Sequence, residues 1–285
     1  MNVPLLGTAE VALRAKARLG EGPRWDAAAR RLLWVDIHGR ELHVTEPPES
    51  TRSLALDAPV CAVAPWSANT VLVALADRLA AVDLDHGTTR TLIELPHRHA
   101  DIRCNDGACD PAGRFWIGTM ANDEKEPGAG ALYRYDPDGE LHTMIESVTL
   151  SNGIGWSPDG ATMYYVDSPT QRVDAFDFDL QAGTPSGRRE FASIAEADGI
   201  PDGLAVDDEG GVWLALYGGS QVRRYAPDGT LEGRVDVPAT KVTACAFAGE
   251  TLYITSASAE GDPLGGSLFA FEAGVSGPPA TAFAG

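Results

Sequence analysis

Short apolar runs recur along the chain with polar turns between them, and six segments repeat one order of elements. Each has an apolar strand, a polar turn, a second strand ending in aromatic or aliphatic residues, a loop and a third strand. The first two strands read GPRWDAAARRLLWVDI (22–37), CAVAPWSANTVLVAL (61–75), GACDPAGRFWIGTM (107–120), GIGWSPDGATMYYVDS (153–168), GLAVDDEGGVWLALY (203–217) and TACAFAGETLYITSA (243–257). The third strands read ELHVTE, RLAAVDLD, GALYRYDPDG, RVDAFDFD, QVRRYAPDG and SLFAFEAG, so the unit returns about every 41 to 49 residues. Alternation in ALYRYD and QVRRYA gives one apolar and one polar face, whereas YYVD and WLALY are apolar enough to lie between neighbouring sheets. SPDG at 157–160 and PDG at 137–139 and 227–229 place Pro and Gly where hairpin turns use them.

A unit of three or four strands cannot bury its own faces. Repeated units pack sheet on sheet, and radial closure protects their edges. The pattern therefore predicts an all-β, six-bladed β-propeller, with residues 1–285 as a single domain. A two-sheet sandwich would not need the same turn chemistry six times, and WD and kelch signatures are absent. The only helical periodicity is the mixed stretch AEVALRAKARL near the start.

Composition agrees with many short strands: Gly 31 and Pro 19 among 285 residues are scattered between apolar runs, with no Pro/Gly/Ser-rich linker. Lys+Arg 22 against Asp+Glu 41 gives a net charge of −19, spread from end to end. That field repels phosphate backbones and anionic lipid, which excludes nucleic acid and membrane surface as partners and tolerates a cation. Cys61, Cys104, Cys109 and Cys245 have no zinc spacing and read as small buried hydrophobes, a Cys104–Cys109 bridge being allowed but not required. The start of the chain reads as neither signal peptide nor membrane span, so a cytoplasmic location is expected, as a monomer or small homo-oligomer.

Candidate chemistry lies at positions that keep one phase in the repeat. Five places before the first turn residues Asp26, Asp110, Ser157 and Asp207 stand Glu21, Asn105, Asn152 and Asp202. Each begins an innermost strand, where equivalent ends converge on the axis of a propeller. Any one of them alone is an ordinary turn former, and only the shared phase raises them above that reading. A Gly just beyond each, in GEGP, CNDG, SNGI and PDGL, would let backbone lie close to an axial ligand. Glu21, Asn152 and Asp202 offer only oxygen, a set for one divalent metal ion: calcium, magnesium or manganese, with zinc or iron(II) also admitted. Arg103, two residues before Asn105, is either a hydrogen-bonding fork for polyol oxygens or one half of a salt bridge with Asp106 or Asp101. His38, His43, His97, His99 and His142 look peripheral, and Trp34, Trp116, Tyr165 and Trp213 read as packing between sheets. No G-x-S-x-G elbow or Ser/Cys–His pair is evident.

At these residues the chain resembles the senescence-marker-protein/gluconolactonase/luciferin-regenerating-enzyme family. The likeness runs from LGEGPRW through RCNDGACDPAGRFWIGTM, SNGIGWSPDG and YYVDS to IPDGLAVDDEGGVW, and continues less specifically to ITSA at 254–257. It implies a six-bladed propeller with a metal near one end of its axis, Glu21, Asn152 and Asp202 as ligands, and Arg103 and Asn105 as substrate contacts with Asp106 close by. In regucalcin-like members a glutamate follows GTMA; Asp123 stands there, a shorter acid, which leaves the sugar preference open. DEKEPGAGAL corresponds to a loop closing over the pocket. The implied activity is a lactonase, a carboxylic ester hydrolase opening glucono-, xylono-, galactono- or arabinonolactone, with Asp202, Arg103 and Asn105 catalytic. The alternatives are a non-enzymatic propeller that binds calcium or a protein, which has no use for Arg103 and Asn105 at an open metal position, and a phosphotriesterase-type hydrolase, which needs a more apolar pocket.

Overall fold

The hairpin turns are built round buried aspartates. Asp110 and Asp207 are fully buried. Oδ1 of Asp110 accepts the Ala112 and Arg114 amides at 2.9 and 3.1 Å, while Oδ2 accepts Arg114 Nε at 2.6 Å and Trp116 Nε1 at 3.0 Å. Asp207 does the same with the Glu209 and Gly211 amides, Trp213 Nε1 and Arg224 Nε. One carboxylate thus closes the turn and pins the large aromatic of the following strand, which is how a charge can be buried without loss. Trp34, Trp116, Tyr165 and Trp213 are all fully buried, as their packing role requires.

The structure, a computed structural model, describes residues 3–47, 50–97, 99, 101–122 and 126–285. Its class is all-β; among the described residues the only helices are the three-residue 3₁₀ turns Ser168–Thr170 and Glu196–Asp198. The stretch AEVALRAKARL, whose periodicity is mixed, contains the strand Glu10–Leu13.

Strand pairing corrects the expected count of six blades. Four discrete four-stranded antiparallel sheets are present, covering 20–55, 60–94, 102–148 and 151–193. The remaining strands belong to one eight-stranded sheet, because the Tyr217–Lys241 pair carries hydrogen bonding directly from the unit at 200–236 into the unit at 241–277. The start of the chain completes that sheet: Leu5–Thr8 pairs in parallel with Leu231–Asp236, and Glu10–Leu13 pairs with Leu268–Gly277. The arrangement is therefore four separate blades and a merged fifth sheet stapled by the N-terminal strands. Each unit also carries an outer strand that the pattern did not show, such as Ser50–Ala55 and Thr184–Ser193, because exposed strands have no apolar face to reveal them.

The first strands of the units, Gly20–Asp26, Val60–Pro65, Ile102–Cys109, Ser151–Trp156, Ile200–Val206 and Lys241–Ala257, each pack against the next, and the last packs against the first. This closed ring surrounds the axis on which the candidate residues meet. The four cysteines are buried free thiols, with no Cys104–Cys109 bridge.

His43 corrects another expectation, since it is buried and lies flat on Trp34, ring centroids 3.9 Å apart and planes 11° from parallel. Burial lowers its pKa from 6.5 to about 4, and Asp36, working the other way, is outweighed. The Glu41 carboxylate 3.5 Å from Nε2 is well exposed and screened by water, so it does not hold the ring charged. An unfolded chain takes up this proton near pH 6.5 and the folded one only near pH 4, so the stabilisation is complete above about pH 6.5 and is lost as pH falls toward 4. We expect this residue to account for about 3 kcal/mol of acid destabilisation across that window. Urea unfolding midpoints at pH 7, 5 and 4 should fall less steeply for His43→Phe, which keeps the stack and cannot titrate; parallel curves would remove His43 from the account.

Candidate functional site

A cavity of about 670 Å³ opens at the end of the axis where the inner strands begin. Glu21, Arg103, Asn105, Asn152 and Asp202 line it together, each no more than 8% exposed. Residues from four units of the chain thus converge as their shared phase predicts. The local cause is a register shift in each inner strand against its second strand, between Glu21 and Arg24, Cys104 and Gly107, Ser151 and Ile154, and Pro201 and Leu204. In each case the site residue lies at or within the irregular stretch, released from regular pairing so that its side chain can be aimed at the axis.

Two of the glycines beyond these residues have a packing role. A Cβ on Gly153 would stand 2.6 Å from the Asp202 carbonyl oxygen, and one on Gly203 2.4 Å from Ala244 Cβ. They let adjacent inner strands approach one another.

The side chains of the cavity form one directed chain of hydrogen bonds. The Pro201 carbonyl can only accept, so Ser168 Oγ donates to it at 2.7 Å and must accept from Asn152 Nδ2, also at 2.7 Å. Asn152 Oδ1 is thereby turned the other way and accepts Asn105 Nδ2 at 2.7 Å. The second Asn105 hydrogen goes to the Ser151 carbonyl at 2.8 Å, and Asn105 Oδ1 accepts Arg103 Nη1 at 2.7 Å. That nitrogen also bonds the Cys104 carbonyl at 2.8 Å. Both Asn105 donors are therefore committed, and the residue can meet a substrate only as an acceptor.

Arg103 takes up neither of the salt bridges considered for it. Asp106 is held instead by Arg24 Nη2 at 3.2 Å, from a different sheet, and by the Gly107 amide at 2.7 Å. Its carboxylate is buried and close enough to Glu21 to act on its charge, but it is not among the residues that line the cavity. Asp123 lies outside the described residues. Ser168 and Arg24 were not singled out from sequence; a serine ending YYVDS carries no local mark of its role. His38, taken as peripheral, lines the cavity.

Whether these residues suit a divalent cation is tested by Glu21. Among the described residues its one hydrogen bond is from the neighbouring Gly22 amide at 3.1 Å, and burial, then the Asp106 charge, push its pKa to about 8 against the opposing charges of Arg103 and Arg24. A buried carboxylate so poorly compensated is what a cation would stabilise. Asn152 Oδ1 keeps one lone pair beyond the bond from Asn105, and Asp202 adds a second carboxylate. No group of three His, Cys, Asp or Glu side chains with ligating spacing occurs among the described residues. The donors present are oxygens from two acids and an amide, with positions left for water or substrate, and they fit a hard cation.

Ser168→Ala removes the acceptor that orients the Asn152 amide. We expect divalent-cation affinity, read by calorimetry with Mn²⁺ or Ca²⁺, to fall by about tenfold or more while circular dichroism is unchanged. Equal affinity in the two proteins would show that the amide does not depend on Ser168.

Comparison with known proteins places this geometry. The chicken (Gallus gallus) protein regucalcin is 37% identical over 285 residues, 94% of this chain and 95% of its own. The solved structure of a calcium-binding protein, regucalcin from Agrobacterium tumefaciens, superposes with a TM-score of 0.94 at 30% identity, covering 99% of both chains. A gluconolactonase from Xanthomonas campestris superposes with a TM-score of 0.73 at 26% identity, over 95% of this chain and 90% of that one. Residues 19–258 match the family described as SMP-30/Gluconolactonase/LRE-like region, and this chain belongs to that family.

Proposed function

We propose that the chain is a divalent-metal-dependent hydrolase that opens sugar aldonolactones to aldonic acids. The observation that carries this reading is the convergence of Glu21, Asn152 and Asp202 with Arg103 and Asn105 on one polar cavity. Similarity to a gluconolactonase supports it. Glu21, Asn152 and Asp202 would hold the ion, which supplies Lewis acidity and a lowered pKa for water. In the net reaction water adds to the lactone carbonyl carbon and the bond from that carbon to the ring oxygen breaks. The ring oxygen leaves as a hydroxyl carrying one water proton, and the product acid releases the other at neutral pH.

The residues of the chain have distinct parts in this. Arg103 Nη1 is spent on Cys104 and Asn105, so its remaining N–H groups are those that meet a sugar oxygen or the developing negative charge. Asn105 Oδ1 accepts from a sugar hydroxyl. Asp202 orients the attacking water and takes its proton; a carboxylate that would also hold the ion is a weak base, and the ion would assist by lowering the pKa of water. Asp106 steadies Arg24 and the start of the CNDG turn, and we assign it no substrate contact.

Hydrolysis of glucono- and xylonolactone near pH 7, corrected for spontaneous opening, should stop with chelator and return with added divalent ion. Asp202→Ala should abolish it with the fold intact. Arg103→Ala should lower kcat/KM by roughly 10²-fold, the scale of one charge-assisted contact made in the transition state. If no lactone is turned over with any added ion, the reading fails and a calcium- or protein-binding role for the same carboxylates replaces it.

A further inference from the structure

The mouth of the cavity has more positive charge than a neutral sugar lactone needs. Arg18, Arg40 and Lys241 line it together with the buried Arg103, against the two carboxylates of Glu21 and Asp202. Most arginines elsewhere in this acidic chain are tied to acids, as in Arg31–Asp26 at 2.9 Å, Arg114–Asp110 at 2.6 Å and Arg223–Asp198 at 3.0 Å, and those that are not, such as Arg14, Arg30 and Arg90, do not share a cavity. Around this cavity several such cations come together. Among the described residues the Arg18 guanidinium reaches the His38 carbonyl, at 3.4 Å, and Lys241 Nζ stands over the Tyr217 ring, 5.3 Å from its centroid. Arg40 has no carboxylate partner among the described residues, and Arg103 there donates to the neutral Cys104 and Asn105 oxygens and forms no salt bridge, though Glu21 is near enough to feel its charge.

With Asp+Glu 41 available against Lys+Arg 22, gathering four cations round two carboxylates at one opening, with no salt bridge to any of the four among the described residues, is a local reversal of the chain's own field. Like charges gathered round a concave, partly desolvated mouth repel one another, and an anion relieves that repulsion. Their positions are ordered as well. Arg103 comes from Ile102–Cys109, deep in the cavity beside Asn105, where the reacting carbonyl belongs on the lactone-hydrolase reading. Arg40 and Lys241 stand at strand starts or turns at the outer end, Lys241 half-buried and Arg40 exposed. A neutral aldonolactone would engage Arg103 and leave the outer cations unused.

We propose that the preferred substrate is an anionic sugar lactone, one whose end remote from the lactone carbonyl carries a carboxylate or a phosphate that Arg40, Lys241 and Arg18 receive. This rests on the lactone-hydrolase reading and narrows it. The same field draws such a substrate in against the overall negative charge of the protein.

Initial rates on three probes decide it: glucono-δ-lactone, its 6-phosphate, and glucaro-δ-lactone, whose sixth carbon is a carboxylate. The wild type should show kcat/KM at least about tenfold higher for one or both charged probes than for the neutral one. Which of them responds identifies the anion. That ratio should shrink as salt rises from about 0.02 to 0.5 M, because exposed charges are screened over about 10 Å or less. It should fall by roughly tenfold in Arg40→Gln and again in Lys241→Met. A ratio near one in the wild type, or variants that lower all three substrates equally, would overturn the proposal while leaving lactone hydrolysis standing. No turnover of any probe would overturn both.

Discussion

Because the Pro201 carbonyl can only accept a hydrogen bond, the Ser168 hydroxyl beside it can only donate there, and Asn152, Asn105 and Arg103 take their direction from that fact. Asn152 presents its amide nitrogen to Ser168 and its oxygen to the axis, Asn105 spends both hydrogens, and Arg103 is drawn down by one nitrogen. Pro201 immediately precedes Asp202, so the same contact ties the orientation of one candidate ligand to the backbone that positions another. An amide that could turn over would present hydrogens where a cation needs lone pairs. The constraint is inexpensive in sequence, one serine, and it acts across two inner strands.

Carboxylates in this chain serve two opposed purposes, distinguished by their partners. Asp110 and Asp207 are fully buried yet saturated by backbone amides, an indole and a guanidinium, and they hold turns. Glu21 is nearly as buried but has one hydrogen bond among the described residues, from a backbone amide, and its pKa rises to about 8 despite the charges of Arg103 and Arg24. Burial alone therefore does not mark a functional acid; burial without compensation does.

The candidate site was legible because residues five places before a turn keep the same phase in a repeat, and equal phase means equal height along a common axis. What makes that phase useful, the register shift in each inner strand, has no signature in alternation, since a shifted residue looks like any other polar residue at a strand start. The merged eight-stranded sheet depends on one backbone pair, Tyr217 with Lys241, and on parallel pairing of Leu5–Thr8 more than two hundred residues from its partner; neither leaves a side-chain pattern. His43 was misread for a related reason. It looked peripheral, and only the cross-strand pairing with Trp34 shows that its ring is used as a flat hydrophobe.

The central claim is that the directed amides and the uncompensated Glu21 make one cation site at the head of the axis. Anomalous diffraction from crystals soaked in Mn²⁺ measures this without reference to any substrate. The account predicts a single strong anomalous peak about 2.0–2.6 Å from a Glu21 carboxylate oxygen, Asn152 Oδ1 and an Asp202 carboxylate oxygen. A cavity without a peak, or a peak held by other residues, would contradict it.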